Sequence, residues 1–498
     1  MPDTSATGAE PAADHVATRA AARSLSAIAL NQVAQLVGSL IFVYLVPRTL
    51  GPEVYGQLAF SFALTAILQM LGELGSQEIF SRFLPEVRRA QGDAGVRAMV
   101  GGLFRARLLI GLALGLAAVG VALVAAPWLT LAQAALIGLA VLARIWSMGP
   151  FPLLLGLGET LKWSVETTWR QIVVTVLVLA LVRTPSLTLA LTAMALHELI
   201  FLVLGAWWTR HWFLGTAAGP AAALPVQHGT AALLRYGFKF SLSNFALVLM
   251  FRISPITVER LTGSHPETGY FDLSLSALLL LYTLLGQVAY AFVPILTALQ
   301  LEHKPDEARV WLGRVVRYGA MLLVLGLGGM WAVATPLSPV LFGAGFAPAA
   351  NTLRMMAFGL LPLPIAWAGV ILSAIEKRPA RKLWAALTGL AVFAVAALLL
   401  RGGQSAGIAL AFALALLGYA VGFGRGALEA VRTGGAGWAA ATLGVLVFLP
   451  LFFWRQPNIL LGLAVWAALA LAYVVLMLVT RAAQVGEVRS VLAVVRRR

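Results

Sequence analysis

From Ser24 to Pro47 the chain carries no charged residue, and the run to Val46 is largely apolar. An α-helix rises about 1.5 Å per residue, so this run is long enough to cross roughly 30 Å of hydrocarbon. Pro47, Gly51, Pro52 and Gly56 follow, which stop one helix and permit another, and a second apolar stretch runs on toward Phe83. Such a hairpin treats a bilayer as its solvent. Its first helix is not uniformly oily. Asn31, Gln35, Gly38 and Ser39 fall at i, i+4, i+7 and i+8 and share one face. A polar stripe inside a membrane faces protein or water, so it predicts a packed helix seam or one wall of an aqueous cavity.

The hairpin returns in mid-chain. In Ser241–Ser274, Asn244 answers Asn31 and Gly269 answers Gly56 at the same offset of 213 residues. Pro266-Glu267 echoes Pro52-Glu53, and Arg260 echoes Arg48 with a one-residue shift. An internal repeat of this length predicts two related halves. Transporters are commonly built from such repeats, with the substrate between them.

Of the 498 residues, 60% are hydrophobic and 11% charged, and the mean hydropathy is +0.89. No soluble domain needs so much apolar surface, and no long hydrophilic segment offers room for a separate catalytic domain. The absence of cysteine excludes disulfides, thiolate metal sites and a cysteine nucleophile. The formal net charge of +16 raises the question of nucleic acid. The placement of the charge answers it. With the N-terminus inside, the outer connections carry Arg48, Arg183, Arg260, Arg401 and Arg455 as their basic residues. Most of the others fall on inner segments, such as Arg82, Arg88, Arg89 and Arg97, or Lys377, Arg378, Arg381 and Lys382. This asymmetry holds loops against an anionic inner leaflet and argues against a nucleic-acid partner.

The expected fold is all-α: a polytopic membrane protein of about fourteen spans. They are read near residues 24–46, 57–83, 104–126, 128–149, 163–182, 187–209, 234–258, 270–299, 315–334, 350–375, 382–400, 406–424, 437–454 and 459–480. The domain reading is a cytoplasmic tail (1–22), polar and without the arrangement of a cleavable signal peptide, and an N-terminal six-helix lobe (23–210). A linker (211–232), a C-terminal six-helix lobe (233–432), two appended helices (433–482) and a basic tail (483–498) complete it. The two pseudo-symmetric lobes are expected to enclose a central cavity, with both termini cytoplasmic.

No catalytic signature stands out. There is no His-Glu-x-x-His, no Gly-Lys-Ser/Thr phosphate loop and no Gly-x-Ser-x-Gly elbow. No cofactor and no metal site are expected, and His197-Glu198 is a neighbouring pair poorly placed to share a helix face. Intramembrane charges are the informative residues, because each is costly in hydrocarbon. Arg252 shares a face of span seven with Ser241, Asn244, Val248 and Pro255, and is read as a cavity cation for an anionic head group. Glu166 and Arg170 form an i, i+4 pair with the acid first, which favours mutual neutralisation. Glu73 shares a face with Gln69 and Gln77 and has no obvious local partner, so it is a candidate for H+ or Na+ coupling, with Glu166 beside it. Span eight brings Asp272, Ser276, Thr283, Gln287 and Tyr290 near one face, suited to sugar hydroxyls. Arg354 is read as a rim charge at the outer end of span ten. Trp207, Trp208 and Trp212 read as an interfacial belt. The candidate substrate-binding set is therefore Arg252, Arg170, Asn31, Gln35, Asn244, Gln287 and Tyr290. Scattered arginines with few acids and many amides and hydroxyls suit a bulky anion with a polar body.

On Leu45-Val-Pro-Arg-Thr-Leu-Gly-Pro-Glu-Val-Tyr-Gly56, the segment from Glu73-Leu-Gly75 to Arg82, and Leu341-Phe-Gly-Ala-Gly-Phe346, the chain resembles the polysaccharide-export flippases. These belong to the multidrug/oligosaccharidyl-lipid/polysaccharide (MOP) exporter superfamily. The resemblance implies a V-shaped bundle opening alternately to each side, in a bacterial cytoplasmic membrane. It also implies a substrate of oligosaccharide on polyprenyl pyrophosphate, moved outward for surface polysaccharide biosynthesis. Membrane lipids and a polysaccharide polymerase or glycosyltransferases are the expected partners. Three other readings stay open: a peptidoglycan-precursor flippase, a drug/cation antiporter, and an integral-membrane glycosyltransferase or polymerase. The antiporter would be expected to show deep acids in the first spans, and helix one has none. The transferase would need carboxylates on sizeable outer loops.

Overall fold

The computed structural model describes residues 10–181, 184–214, 229–290, 304–376, 378–424 and 436–480, with isolated residues 296, 299, 302 and 432. Side chains are described from Leu36 onward, apart from those of 167, 181, 214, 284, 285, 287–290, 305, 374, 379 and 436–439. Every regular element among the described residues is helical, so the chain is an all-α membrane protein.

The first unit contains most of α1 (Glu10–Leu71), then α2 (Ser76–Ala125), α3 (Leu131–Ser147), α4 (Pro150–Gly156), α5 (Thr160–Leu181) and α6 (Leu187–Leu214). The second contains most of α7 (Thr230–Thr262), then α8 (His265–Tyr290), α9 (Pro305–Phe342), α10 (Ala349–Ala357) and α11 (Leu363–Ile375). It continues through α12 (Pro379–Leu399), α13 (Gln404–Val421), α14 (Ala436–Phe453) and α15 (Ile459–Val479). The fourteen predicted spans overlap these helices: 57–83 runs from the end of α1 into α2, 350–375 covers both α10 and α11, and parts of 163–182 and 270–299 lie outside the described residues. Among the described residues, eight stretches are long and apolar enough to cross a membrane, or nine if the bent pair Ala349–Leu360 and Leu363–Ser373 is one span. One of the eight, Leu36–Ala125, is 90 residues long and covers parts of three predicted spans. It breaks at Gly51 (φ 72°, ψ 168°), at Gly75 and at Gly92. Gly51 has a left-handed φ that a side chain would strain, which is why the Pro-Gly-Pro turn can reverse the chain there.

The boundary between the compact units does not follow the linker. One unit runs to Val46 and resumes over Leu68–Ser241; the other takes Pro47–Ile67 and resumes from Leu242. The tip of the first hairpin thus packs with the second copy of the repeat. A Cβ added to Gly56 would sit 1.7 Å from the carbonyl oxygen of His265, and one added to Gly269 would sit 2.9 Å from that of Pro52. The offset of 213 that relates Gly56 to Gly269 also relates Pro52 to His265, so the two contacts are copies of each other. Only glycine lets the backbones approach this closely.

The outer surface is that of a lipid-immersed bundle. Val124, Leu399, Leu460 and Val479 are all at least 74% exposed, which a water-facing protein would not sustain. Lipid supplies no hydrophobic drive between helices, so packing must hold them. In the second unit the fully buried side chains include Trp331, Phe271, Phe412, Phe448, Tyr419 and Tyr473, and small residues such as Gly418 and Gly422 bring α13 against α12.

Candidate functional site

The first unit holds a cavity of about 270 Å³ lined by Glu73, Ser76, Gln77, Arg144, Met148, Pro152, Trp163, Glu166, Arg170 and Gln171. Its floor is a chain of charges from three helices. Glu166, on α5, is 7% exposed. Its Oε1 accepts from Arg144 Nη1 of α3 and, at 3.2 Å, from Arg170 Nη2 one turn along α5. Both guanidinium groups therefore meet on a single carboxylate oxygen. Arg170 Nη1 also donates to Glu198 Oε2 of α6 at 2.6 Å, and Glu198 Oε1 lies 3.7 Å from His197 Nδ1. Two arginines and two glutamates alternate, so the chain is internally balanced. Behind it, Arg170 stacks on Phe201 at 4.9 Å, and Phe151, Leu154 and Phe201 form a dry wall. A low-dielectric backing strengthens these ion pairs and makes any unpaired member costly.

Glu73 enters the same cavity by a different route. The sequence reading placed it on a continuous helix with Gln69 and Gln77. The structure breaks that helix at Gly72–Gly75, where Leu74 and Gly75 both take positive φ (52° and 64°). The register across the break is lost, and Gln69 instead donates to the Ala140 carbonyl at 3.4 Å. Arg107 of α2, 5% exposed, ties the break down. Its Nη2 donates to the Glu73 carbonyl at 3.0 Å and to Ser76 Oγ, and Ser76 Oγ donates to the same carbonyl at 2.6 Å. A leucine held in left-handed backbone marks a conformation that the surroundings over-determine. The Glu73 carboxylate makes no hydrogen bond or ion pair among the described residues, yet it feels Arg144 and Arg107 electrostatically.

Of the sequence-predicted residues, the fold brings Arg170, Glu166 and Glu73 together. Arg252 and Asn244 lie in the second unit. Asn244 Oδ1 accepts from Lys382 Nζ at 2.6 Å, so it serves as a partner for a cation. Arg252 is half-buried and acts electrostatically on Asp272. Asp272 Oδ2 accepts from the Tyr55 hydroxyl at 2.8 Å. The side chains of Asn31, Gln35, Gln287 and Tyr290 lie outside the described residues. Sequence reasoning missed Arg144, Glu198 and Arg107. Arg144 and Arg107 sit near predicted inner helix ends and read as orientation charges, while Glu198 meets Arg170 only through tertiary packing. The tryptophan belt also splits: Trp207 is 57% exposed, but Trp208 packs on Phe151 at 6.2 Å. Among the described residues, no group of three or more His, Asp or Glu is arranged to hold a metal ion.

The buried salt-bridge chain and the cavity beside it sit on a many-span helical scaffold, a membrane transporter fold. Solved structures agree on that fold. An inward-facing multidrug-resistance MATE family transporter of the MOP superfamily matches with a TM-score of 0.61 at 13% identity, over 83% of this chain and 95% of its own. The lipid II flippase MurJ, in an inward closed conformation, matches at 0.59 and 11% identity, over 91% and 98%. The eukaryotic MATE transporter AtDTX14 matches at 0.54 and 12%, over 84% and 98%. Comparison with curated proteins gives no match. The family profile described as "Polysaccharide biosynthesis protein" matches residues 21–300. The chain belongs to that polysaccharide biosynthesis family.

Proposed function

We propose that the protein flips an oligosaccharide linked to polyprenyl pyrophosphate across the bacterial cytoplasmic membrane, inner to outer leaflet, with both termini cytoplasmic. The family membership supports the polysaccharide connection. The observation that carries the reading is the shared oxygen of Glu166. The difficulty in moving such a lipid lies in its head, since stripping water from phosphates and many hydroxyls is prohibitive in hydrocarbon. The prenyl tail can stay in lipid throughout. A cavity lined by arginines, glutamine amides, a serine and Trp163 replaces that hydration, and the indole face suits a sugar ring.

At rest Arg144 and Arg170 are neutralised by Glu166 and Glu198. An arriving pyrophosphate competes for the two arginines with the single Glu166 oxygen on which both converge. The two guanidinium groups then present donors in the fork geometry that matches phosphate oxygens. Return of the arginines to Glu166 and Glu198 restores the internal pairs and expels the anion. Glu73, in the same cavity and without an ion pair among the described residues, is the candidate group for proton coupling. Alternating access follows if the proton and the pyrophosphate favour different arrangements of the unit.

Purified protein in liposomes, given labelled polyprenyl-pyrophosphate oligosaccharide, tests this. Transbilayer movement should be saturable and driven by a proton gradient. Movement of a lipid II-type precursor in preference to the oligosaccharide would move the assignment to a peptidoglycan-precursor flippase. Transport of a cationic drug with neither lipid moved would make it an antiporter.

A further inference from the structure

One buried cation in the second unit has no counter-charge among the described residues and no part in the steps above. Arg354 of α10 is 3% exposed, in contrast to the rim position expected from sequence. Its Nη2 donates to the Trp454 carbonyl at 2.5 Å and to Thr335 Oγ1 of α9. Both acceptors are neutral. Its Nε is buried and has no acceptor. Among the described residues Arg354 forms no ion pair, and the charge that acts on it is another cation, Arg455. The indole Nε1 of Trp454, the residue whose carbonyl Arg354 holds, is likewise buried without an acceptor. Trp331 fixes the backbone from behind by donating to the Arg354 carbonyl at 3.0 Å.

A guanidinium out of water is tolerated when it is paired, and a second arginine beside it makes the unpaired state worse. The fold has gathered donors around residues 354, 454 and 455, and among the described residues no acid pairs with Arg354. A structural tie between α9 and the segment after α14 would need only a neutral donor. The ligand chemistry that fits two guanidinium groups and an indole N–H is a phosphate anion. Its source is indicated by the flanks. Phe453 is 71% exposed, Leu460 74% and Val340 57%, so the donors are bordered by side chains suited to acyl chains.

We propose that Arg354, Arg455 and the Trp454 indole bind the phosphate of an anionic phospholipid at the ends of α9, α14 and α15. In the orientation proposed above these ends lie in the outer leaflet. The site lies in the other unit from the transport cavity and stands whether or not that cavity's substrate is an oligosaccharide lipid.

The test titrates phosphatidylglycerol into the purified full-length protein in neutral detergent. It reads the thermal unfolding midpoint and the lipid retained in native mass spectrometry. A saturable rise with one tightly retained phosphatidylglycerol is expected. Half-saturation should need about tenfold more lipid in Arg455→Gln, the shift expected when one charge-assisted contact to a phosphate is lost. Trp454→Phe should weaken retention, Arg354→Gln should abolish it, and Arg401→Gln, another outer arginine, should leave it unchanged. Should Arg354→Gln fail to fold, Arg455→Gln and Trp454→Phe decide alone. The proposal is overturned if these variants respond like the unaltered protein or if Arg401→Gln loses as much. It is also overturned if inorganic phosphate reproduces the rise and displaces the lipid, which would make this a free-anion site.

Discussion

The two compact units use opposite solutions for their interiors. The first buries a run of charges, Arg144–Glu166–Arg170–Glu198, and keeps a cavity open beside it. The second fills its interior with aromatic and aliphatic side chains, Trp331 packing edge-on against Phe358 and Phe452 at 5.2 and 5.3 Å. Its buried charges are dispersed, as in Tyr55–Asp272 and Arg354. The sequence repeat relates the hairpins that open the two halves, yet these interiors have diverged. The contrast fits the function proposed above, in which one unit exchanges partners while the other holds shape. A buried ion pair gives little net stability over an apolar core, so a chain of four is better explained by what it releases than by what it stabilises.

The largest effect that can break this contrast is Arg170→Ala. It leaves two buried glutamates with one arginine between them and should cost about 3–5 kcal/mol and abolish flipping. Thermal melts paired with liposome transport check it, and a stable, active variant would mean the chain is ornamental. Trp331→Ala in the second unit should cost a comparable 3–5 kcal/mol through the cavity it opens. Here, however, transport per folded molecule should persist, read as activity normalised to the amount of monodisperse protein. If the surviving molecules cannot transport, the second unit is more than a scaffold. Tyr55→Phe removes the donor to Asp272, leaving a buried acceptor short of a partner. The expected cost is about 1–3 kcal/mol, visible as a lower melting midpoint. The smallest stability change belongs to Glu73→Gln, about 0.5 kcal/mol or less, since no ion pair is lost. Flipping by this variant should nonetheless become insensitive to a collapsed proton gradient.

Much of this arrangement was readable in the chain. The Pro-Gly turn, the apolar run lengths and the repeat with its 213-residue offset led to the helical, many-span fold. The reciprocal Gly56–His265 and Gly269–Pro52 approaches are a physical expression of that offset. Other parts were hidden for identifiable reasons. The break at Gly72–Gly75 depends on Leu74 taking left-handed backbone, which is secured by Arg107, 34 residues on from the Glu73 carbonyl it holds. Glu166 and Arg170 were legible as a local i, i+4 pair, whereas Arg144 and Glu198 join them only when α3 and α6 pack on α5. The Lys382 partner of Asn244 lies 138 residues on, beyond the reach of any local pattern. Arg354 was read as a rim charge because its cover, the turn after α14, is a hundred residues further along.

The central claim is that Glu166 competes with the substrate's phosphates for Arg144 and Arg170. The most direct measurement is equilibrium binding of a short-chain polyprenyl pyrophosphate to purified protein and to Glu166→Gln at neutral pH. With the competing charge gone, the variant should bind about tenfold more tightly, as expected for freeing a charge-assisted contact. Equal or weaker binding by the variant would contradict the account, because the arginines would then gain nothing when their glutamate lets go.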